Sequence, residues 1–313
     1  AGVATTTMSS STESPAIELQ ALDELWFQVS GTLCNLECTH CFISCSPHND
    51  SFGYLSLGEV ERRLEESVPF GVKEYYFTGG EPFLNKELVP MLAATLEYGP
   101  ATVLTNATVL KPQWLRELRA AEERSLYSLE FRVSIDGPSA EMNDPIRGER
   151  TFERAMQGVQ LLVEHGFLPI ITMTRTWDEA DDVTILDQFR DVLRGRGYTR
   201  PRLKVLPRLQ IGAEAQRTQG YADHDVVTHE MLRDYDQSQL ICAHSRVVTD
   251  RGIYVCPILL DSPAALMGDT LNEATAPFAL QRGACYTCYQ YGAICTNPSS
   301  HVVEQQRGGE NDL

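Results

Sequence analysis

The chain has 313 residues, 42% of them hydrophobic, and its 43 acidic residues against 26 basic ones give a formal net charge of −17. This length predicts one large domain with a small appendage. No run of about 18 apolar residues and no signal-like start is present, so we expect a cytoplasmic protein without a membrane span. The acidic balance, with no cluster of Lys and Arg among aromatic residues, argues against a nucleic-acid partner.

Residues 1–22 are rich in Ser and Thr and predict a disordered N-terminus. From residue 25 onward, strand-like runs alternate with amphipathic helix-like runs, which is typical of an α/β fold with a parallel sheet. Ser56 begins a capping-box sequence, and Thr151 is a candidate cap of a later helix. Strands are predicted over residues 25–30, 74–78, 102–105, 130–135, 168–174 and 203–209. Helices are predicted from residue 56, over 87–96 and 113–123, from residue 151, and over 180–193.

The most informative motif is Cys-x-x-x-Cys-x-x-Cys, formed by Cys34, Cys38 and Cys41 just after the first predicted strand. Three thiolates on one short loop can hold three irons of a [4Fe-4S] cluster and leave the fourth iron without a protein ligand. An open iron can bind a cosubstrate. Zinc accepts similar cysteine pairs, with Cys45 available as a fourth ligand, so the triplet alone leaves both metals open.

A second motif, Gly79-Gly80-Glu81-Pro82, follows the second predicted strand. The two glycines allow a ligand to approach the backbone closely, and Pro82 ends the strand. A carbonyl edge and the Glu81 carboxylate are therefore available to a cation. The same tetrapeptide is also typical of an ordinary turn.

In this order, the triplet and the Gly-Gly-Glu-Pro motif resemble the signature of radical S-adenosylmethionine (radical SAM) enzymes. The resemblance implies that the open iron chelates SAM and that one electron cleaves SAM to methionine and a 5'-deoxyadenosyl radical, which removes a hydrogen atom from the substrate. It also implies a partial (β/α)6 barrel with its chemistry at the strand ends. Gly79, Gly80 and Glu81 would then receive the methionine moiety, and Phe42 would lie against adenine.

The fourth predicted strand ends in Val-Ser-Ile-Asp-Gly-Pro, followed by Asn-Asp-Pro-Ile-Arg-Gly. This stretch resembles radical SAM enzymes that carry a C-terminal SPASM or twitch domain, many of which modify peptides. The resemblance implies that Ser134 and Asp136 contact the ribose and methionine of SAM, and hydroxyl and carboxylate groups suit those partners. An Asp-Gly turn at a strand end is the alternative. Asn106 and Arg175 are further candidates for the carboxylate side of SAM.

A second group of cysteines lies near the C-terminus. Cys242 and Cys256, together with the pair Cys285 and Cys288, supply enough ligands for every iron of a second [4Fe-4S] cluster. The group resembles a twitch or shortened SPASM domain, predicted over residues 216–313 after a barrel over 23–215. A zinc ribbon is the alternative on spacing alone. Cys295 is left over as a candidate hydrogen-atom donor, a ligand in place of Cys288, or a small buried hydrophobic residue.

These observations predict a radical SAM enzyme with a SAM-binding [4Fe-4S] cluster and one auxiliary [4Fe-4S] cluster. The substrate would be a peptide or small natural product that is cross-linked, oxidised or epimerised at an unactivated C–H bond. An electron donor such as flavodoxin or ferredoxin would be needed. A dehydrogenase or epimerase of a sugar or aminocyclitol is the first alternative, favoured by the lack of a leader-peptide-binding domain before the barrel. A non-catalytic zinc or iron-sulfur module is the second.

Overall fold

The computed structural model describes residues 13–292 and residue 294, and strands and helices alternate through most of this range, as predicted. The strands are β1 (Ala16–Ile17), β2 (Glu24–Gln28), β3 (Glu74–Thr78), β4 (Ala101–Thr105), β5 (Leu129–Ser134), β6 (Ile170–Thr174), β7 (Arg202–Leu206), β8 (Ser245–Thr249), β9 (Gly252–Tyr254), β10 (Leu266–Gly268) and β11 (Phe278–Ala279). The helices are α1 (Leu57–Ser67), α2 (Leu88–Thr95), α3 (Pro112–Glu123), α4 (Ala140–Arg147), α5 (Thr151–Glu164), α6 (Asp182–Gly195), α7 (Ala213–Thr218) and α8 (Gly283–Tyr291).

A nine-stranded sheet in the order β10-β9-β8-β2-β3-β4-β5-β6-β7 forms the centre of the molecule. The six strands β2 to β7 are parallel neighbours, which confirms the predicted α/β fold with six βα-type repeats. Because these strands are parallel, their carboxyl ends meet at one edge of the sheet. A seventh parallel strand, β8, pairs with the free side of β2 and was not predicted.

Side chains of β2 alternate between the two faces of the sheet. Leu25 and Phe27, together with Val29 just after the strand, pack in the hydrophobic cluster beneath the helices. On the other face, Trp26 stacks on Tyr76 of the neighbouring strand, with ring centroids 4.3 Å apart. This aromatic pair packs inside the partial barrel. Trp26 also lines the large cavity at the carboxyl ends of the strands, which is described below.

The predicted start of α1 is confirmed. The Ser56 hydroxyl accepts a hydrogen bond from the backbone N–H of Glu59, and the Glu59 carboxylate accepts one from the backbone N–H of Ser56. This reciprocal pair satisfies two N–H groups that the first turn of a helix leaves without partners.

The predicted cap at Thr151 is wrong. Thr151 is the first residue of α5, and Arg150 precedes it with a left-handed φ of 64°. The capping carboxylate is Asp144, which accepts hydrogen bonds from the backbone N–H groups of Arg150 and Phe152, at 2.8 Å each. Asp144 lies in α4, a helix that the sequence did not predict because it contains Pro145.

The prediction of disorder over residues 1–22 is wrong for the part that the structure describes. Ala16 and Ile17 pair antiparallel with Ala279 and Phe278, and the Ile17 side chain is buried. A strand of two residues is too short for its own sequence to indicate, because its stability comes from this distant partner. The predicted division at residue 215 stays a prediction; strands β8 to β10 lie beyond it and continue the barrel sheet.

Within residues 13–292 and 294, no helix is long and apolar enough to cross a bilayer.

Glu24, at the start of β2, is a buried carboxylate. Burial and the nearby Glu74 raise its pKa from the ordinary 4.5 to about 8. Because the folded state holds the proton more tightly than the unfolded chain, Glu24 lowers stability progressively as the pH rises from about 4.5 to 8. We expect Glu24→Gln to gain on the order of 3 kcal/mol of unfolding free energy relative to wild type between pH 5 and pH 8.

Anaerobic urea unfolding at both pH values measures this difference. Glu97→Gln, at an exposed position after α2, is the control. A Glu24→Gln difference that stays constant with pH would contradict the assignment.

Candidate active site and cofactor sites

The carboxyl ends of the parallel strands surround one large cavity, which has a volume of about 210 Å³ and is partly open to solvent. We call it the main cavity. It brings together the cysteine triplet and five further residues that the sequence predicted as SAM-binding. These lining residues are Cys34, Cys38, Cys41, Phe42, Gly79, Gly80, Asn106 and Ser134.

Every sulfur of the triplet accepts a hydrogen bond from at least one N–H group. Cys34 Sγ accepts from the backbone of Leu36 at 3.4 Å and from the Asn106 amide at 3.8 Å. Cys38 Sγ lies 3.9 Å from the guanidinium of Arg147. Cys41 Sγ accepts from the backbone N–H of Cys45 at 3.3 Å, and the Cys45 thiol, also donating to it, lowers the pKa of Cys41. Such donors stabilise thiolates, which is the form of cysteine that binds metal. At Cys34 and Cys38 they oppose the effect of burial, which raises the pKa of both thiols.

The Gly-Gly-Glu-Pro motif packs directly on the cysteine loop. A Cβ atom on Gly80 would lie 2.0 Å from the carbonyl oxygen of Leu33 and 2.8 Å from the Cβ of Cys34. A Cβ on Gly79 would lie 1.9 Å from the hydroxyl of Ser30. The backbone N–H of Glu81 donates to the Leu33 carbonyl at 3.1 Å, so both motifs are held as one unit.

Glu81 lies behind the main cavity and does not line it. Its carboxylate accepts hydrogen bonds from the Thr105 hydroxyl and from the backbone N–H groups of Phe83 and Asn106, at 2.7 to 3.1 Å. Burial raises its pKa to about 7, and these donors oppose that shift. The carboxylate thus ties the end of β3 to the end of β4, whereas the sequence suggested that it faces a ligand.

Asp136 is also fully buried, and its carboxylate accepts hydrogen bonds from three separate parts of the chain. Its carboxylate contacts the His40 ring at 2.5 Å, the Arg147 guanidinium at 2.6 Å and the backbone N–H of Thr174 at 2.8 Å. Burial alone would raise the pKa of Asp136, but Arg147 and His40 hold it well below its usual value. Since Arg147 also contacts Cys38, Asp136 orients a cation toward the triplet.

Sequence reasoning missed His40 and Arg147. Both lie within stretches that attracted attention, His40 inside the cysteine motif and Arg147 inside Asn-Asp-Pro-Ile-Arg-Gly. Both motifs therefore pointed to the right stretches of sequence. Only the fold shows that the two side chains meet at the Asp136 carboxylate.

Of the remaining residues predicted to bind SAM, Asn106 and Ser134 line the main cavity and Arg175 does not. Asn106 donates to Asn35 as well as to Cys34, so it links β4 to the cysteine loop. The Ser134 hydroxyl lies 3.4 Å from that of Thr172, and both line the main cavity. Arg175 does not line the cavity, because its guanidinium forms a two-point ion pair with Asp182.

The second group of cysteines also comes together. Cys242, Cys256, Cys285 and Cys288 line one small cavity of about 20 Å³, which we call the C-terminal cavity. Its other lining residues are Leu240, Ile241, Ile258, Leu259, Phe278, Leu280 and Ala284. None of the four forms a disulfide. In the described part of the chain, no three His, Cys, Asp or Glu side chains are arranged to hold a single metal ion. Cys295 lies outside the described residues.

The Radical SAM superfamily profile matches residues 29–187, just over half of the chain. The chain belongs to the radical SAM superfamily. It is therefore an enzyme, and the non-catalytic module considered from the sequence is ruled out. The match covers the cysteine triplet, the Gly-Gly-Glu-Pro motif and strands β3 to β6.

Curated relatives agree with this assignment. The AdoMet-dependent heme synthase of Oleidesulfovibrio alaskensis is 30% identical over 164 residues, which are 51% of this chain and 39% of that protein. The mycofactocin maturase MftC of Mycobacterium tuberculosis is 26% identical over 230 residues, 72% of this chain and 54% of that protein. The chain thus spans about half or less of the length of these relatives.

Solved structures share the fold. Streptococcus suis SuiB bound to S-adenosylmethionine has a TM-score of 0.57 at 17% identity, covering 78% of this chain and 62% of that one. His-tagged anSMEcpe with bound AdoMet has a TM-score of 0.59 at 16% identity, covering 80% of this chain and 76% of that one. These similarities are structural and show the fold alone.

We expect Gly80→Ala to reduce iron binding at the triplet and to cost about 2 kcal/mol of unfolding free energy, because the new methyl group would overlap the Leu33 carbonyl. Iron analysis after anaerobic reconstitution and urea unfolding measure the two effects. Gly58→Ala in α1 is the matched control, since no atom lies within 4 Å of its added Cβ. Wild-type iron content and stability in Gly80→Ala would contradict the proposed contact.

Proposed function

We propose that this radical SAM enzyme abstracts a hydrogen atom from a C–H bond of a peptide or small natural product, assisted by an auxiliary [4Fe-4S] cluster. One observation carries the proposal. The sulfur atoms of Cys34, Cys38 and Cys41 each accept a hydrogen bond from an N–H group. All three cysteines line the same cavity as Gly79 and Gly80. This donor set fits a SAM-binding cluster with three thiolate ligands.

With the cluster and SAM bound, their chemistry is the one-electron cleavage that yields a 5'-deoxyadenosyl radical. The chain's own residues bind and orient these groups. The backbone at Gly79 and Gly80 and the side chains of Asn106 and Ser134 would contact the polar groups of SAM, and Phe42 would lie against adenine. Asp136 would act indirectly, by fixing Arg147 beside Cys38.

The lining of the main cavity supports a peptide or natural product as the substrate. Beyond the residues proposed for SAM, most of its exposed wall is apolar and includes Leu104, Leu206, Leu209, Pro257 and Ile294, and polar side chains such as Gln28, Thr174 and Glu214 also line it. The apolar part of the wall can bury an apolar side chain of a substrate, and the polar part can orient it. The similarity to a maturase over 72% of this chain points in the same direction.

The C-terminal cavity supports an auxiliary cluster. Four cysteines from separate parts of the chain face an apolar space, and such a space limits access of solvent to a bound cluster. The two cavities are adjacent in the chain, because Cys256 and Ile258 line the C-terminal cavity while Pro257 between them lines the main cavity. An auxiliary cluster at this position would therefore lie beside the substrate space. A role for Cys295 as hydrogen-atom donor stays a prediction.

Turnover of SAM tests the proposed function. After anaerobic reconstitution with iron and sulfide, and addition of dithionite in place of the flavodoxin or ferredoxin donor, we expect wild type to form 5'-deoxyadenosine from SAM. Cys38→Ala removes one of the three cluster ligands and should reduce this formation at least about 100-fold.

Cys45→Ser is the matched control, since Cys45 lines the same cavity but stands outside the proposed ligand set, and a serine hydroxyl can keep the hydrogen bond to Cys41 Sγ. It should retain most of the activity. Equal loss in Cys38→Ala and Cys45→Ser would reject the assigned triplet, and wild-type protein that binds only zinc would reject the proposed function.

A further inference from the structure

Arg246, the second residue of β8, is a fully buried cation. Its guanidinium donates hydrogen bonds to four backbone carbonyl oxygens. The acceptors are Ala274 at 2.6 Å, Ser245 at 2.7 Å, Cys242 at 2.8 Å and Ala276 at 3.3 Å. The hydrogen-bonding capacity of the guanidinium is thus largely satisfied, but only by neutral groups.

The positive charge of Arg246 has no carboxylate counterpart. Among residues 13–292 and 294, no Asp or Glu forms an ion pair with it, and the acidic groups that act on its charge are the thiols of Cys242 and Cys256. A buried charge without an opposite charge costs several kcal/mol. The fold therefore places a cation beside the C-terminal cavity and offsets the cost of its burial with neutral carbonyl oxygens alone.

An anionic group in the C-terminal cavity would supply the missing charge. Four thiolates around an iron-sulfur core carry a net negative charge, and the remaining cavity wall is apolar. Arg246 is held close to this space, because Cys242 gives it a carbonyl acceptor and the hairpin that begins with β8 leads directly to Cys256.

We propose that Arg246 is the counter-cation of the auxiliary iron-sulfur cluster, stabilising its thiolate ligands and raising its reduction potential. This inference rests on the auxiliary cluster of the proposed function. Arg246 would be a positioning residue, since it acts on the cluster through charge and contacts neither substrate nor SAM. A positive charge next to a cluster favours the added electron, because reduction makes the cluster more negative.

A redox titration monitored by electron paramagnetic resonance tests the proposal. The 313-residue chain carrying Cys34→Ala, Cys38→Ala and Cys41→Ala serves as the parent, so that only the auxiliary cluster contributes. We expect Arg246→Gln to lower the ratio of reduced to oxidised cluster by about tenfold at the midpoint potential of the parent. Arg246→Lys keeps the charge and should remain close to the parent.

Ser245→Ala is the matched control, because Ser245 is the buried neighbour of Arg246 in β8 and carries no charge. It should leave the potential unchanged. A merely structural role for Arg246 predicts equal potentials in Arg246→Gln and the parent once both are folded, and that result would overturn the proposal. If Arg246→Gln does not fold, the uncharged Arg246→Met variant replaces it in the same titration, where a lowered potential supports the proposal and an unchanged one opposes it.

Iron analysis of the parent separates the two levels of inference. A parent chain that binds roughly four irons retains the auxiliary cluster, and the redox titration then judges Arg246 alone. A parent chain without iron, or with zinc, refutes the auxiliary cluster and the role of Arg246 with it, while SAM cleavage by the wild-type triplet remains a separate result.

Discussion

The contact between Gly80 and the Leu33 carbonyl is the constraint on which the site depends. Two loops that follow neighbouring parallel strands meet there without a side chain between them, and the Glu81 backbone N–H closes the contact with a hydrogen bond. Because the loop after β2 carries the three cysteines, this contact fixes the triplet at the carboxyl edge of the sheet. The remaining features of the cavity, from Asn106 to Ser134, follow from the parallel register of β4 and β5.

The two cysteine sites differ in how their negative charge is balanced. At the triplet, N–H donors reach each sulfur, and the cation Arg147 is shared with the buried carboxylate of Asp136. At the C-terminal cavity, the wall is apolar and Arg246 is the buried cation beside it, without a carboxylate partner among the described residues. A site that binds SAM needs polar neighbours, whereas a fully ligated cluster can lie among apolar side chains. The difference in lining matches the two roles that we propose.

Much of the architecture follows from local sequence. The residues predicted for the second strand, 74–78, coincide with β3, and the capping box at Ser56 begins α1 as expected. The features that were missed depend on distant partners. Ile17 is ordered by Phe278, β8 by β2, and the start of α5 by Asp144 from the helix before it. Composition and periodicity report on neighbours in the chain and contain no information on such contacts.

The candidate site shows the same limit. The sequence motifs identified the triplet and Gly79-Gly80 on the cavity wall, since those residues act through spacing and backbone shape. They did not show that Glu81 turns inward to hold Asn106, or that Arg175 pairs with Asp182. The direction of a charged side chain depends on which opposite charges and donors the fold brings to it, and these come from other strands.

The central claim is that the triplet leaves one iron of its cluster free to chelate SAM. Electron-nuclear double resonance on the reduced, reconstituted wild-type enzyme tests it most directly, with SAM labelled with ¹⁵N at the amino group. The account predicts a nitrogen hyperfine coupling to a cluster that appears only when labelled SAM is present. A reduced cluster that shows no such coupling under saturating SAM would contradict it.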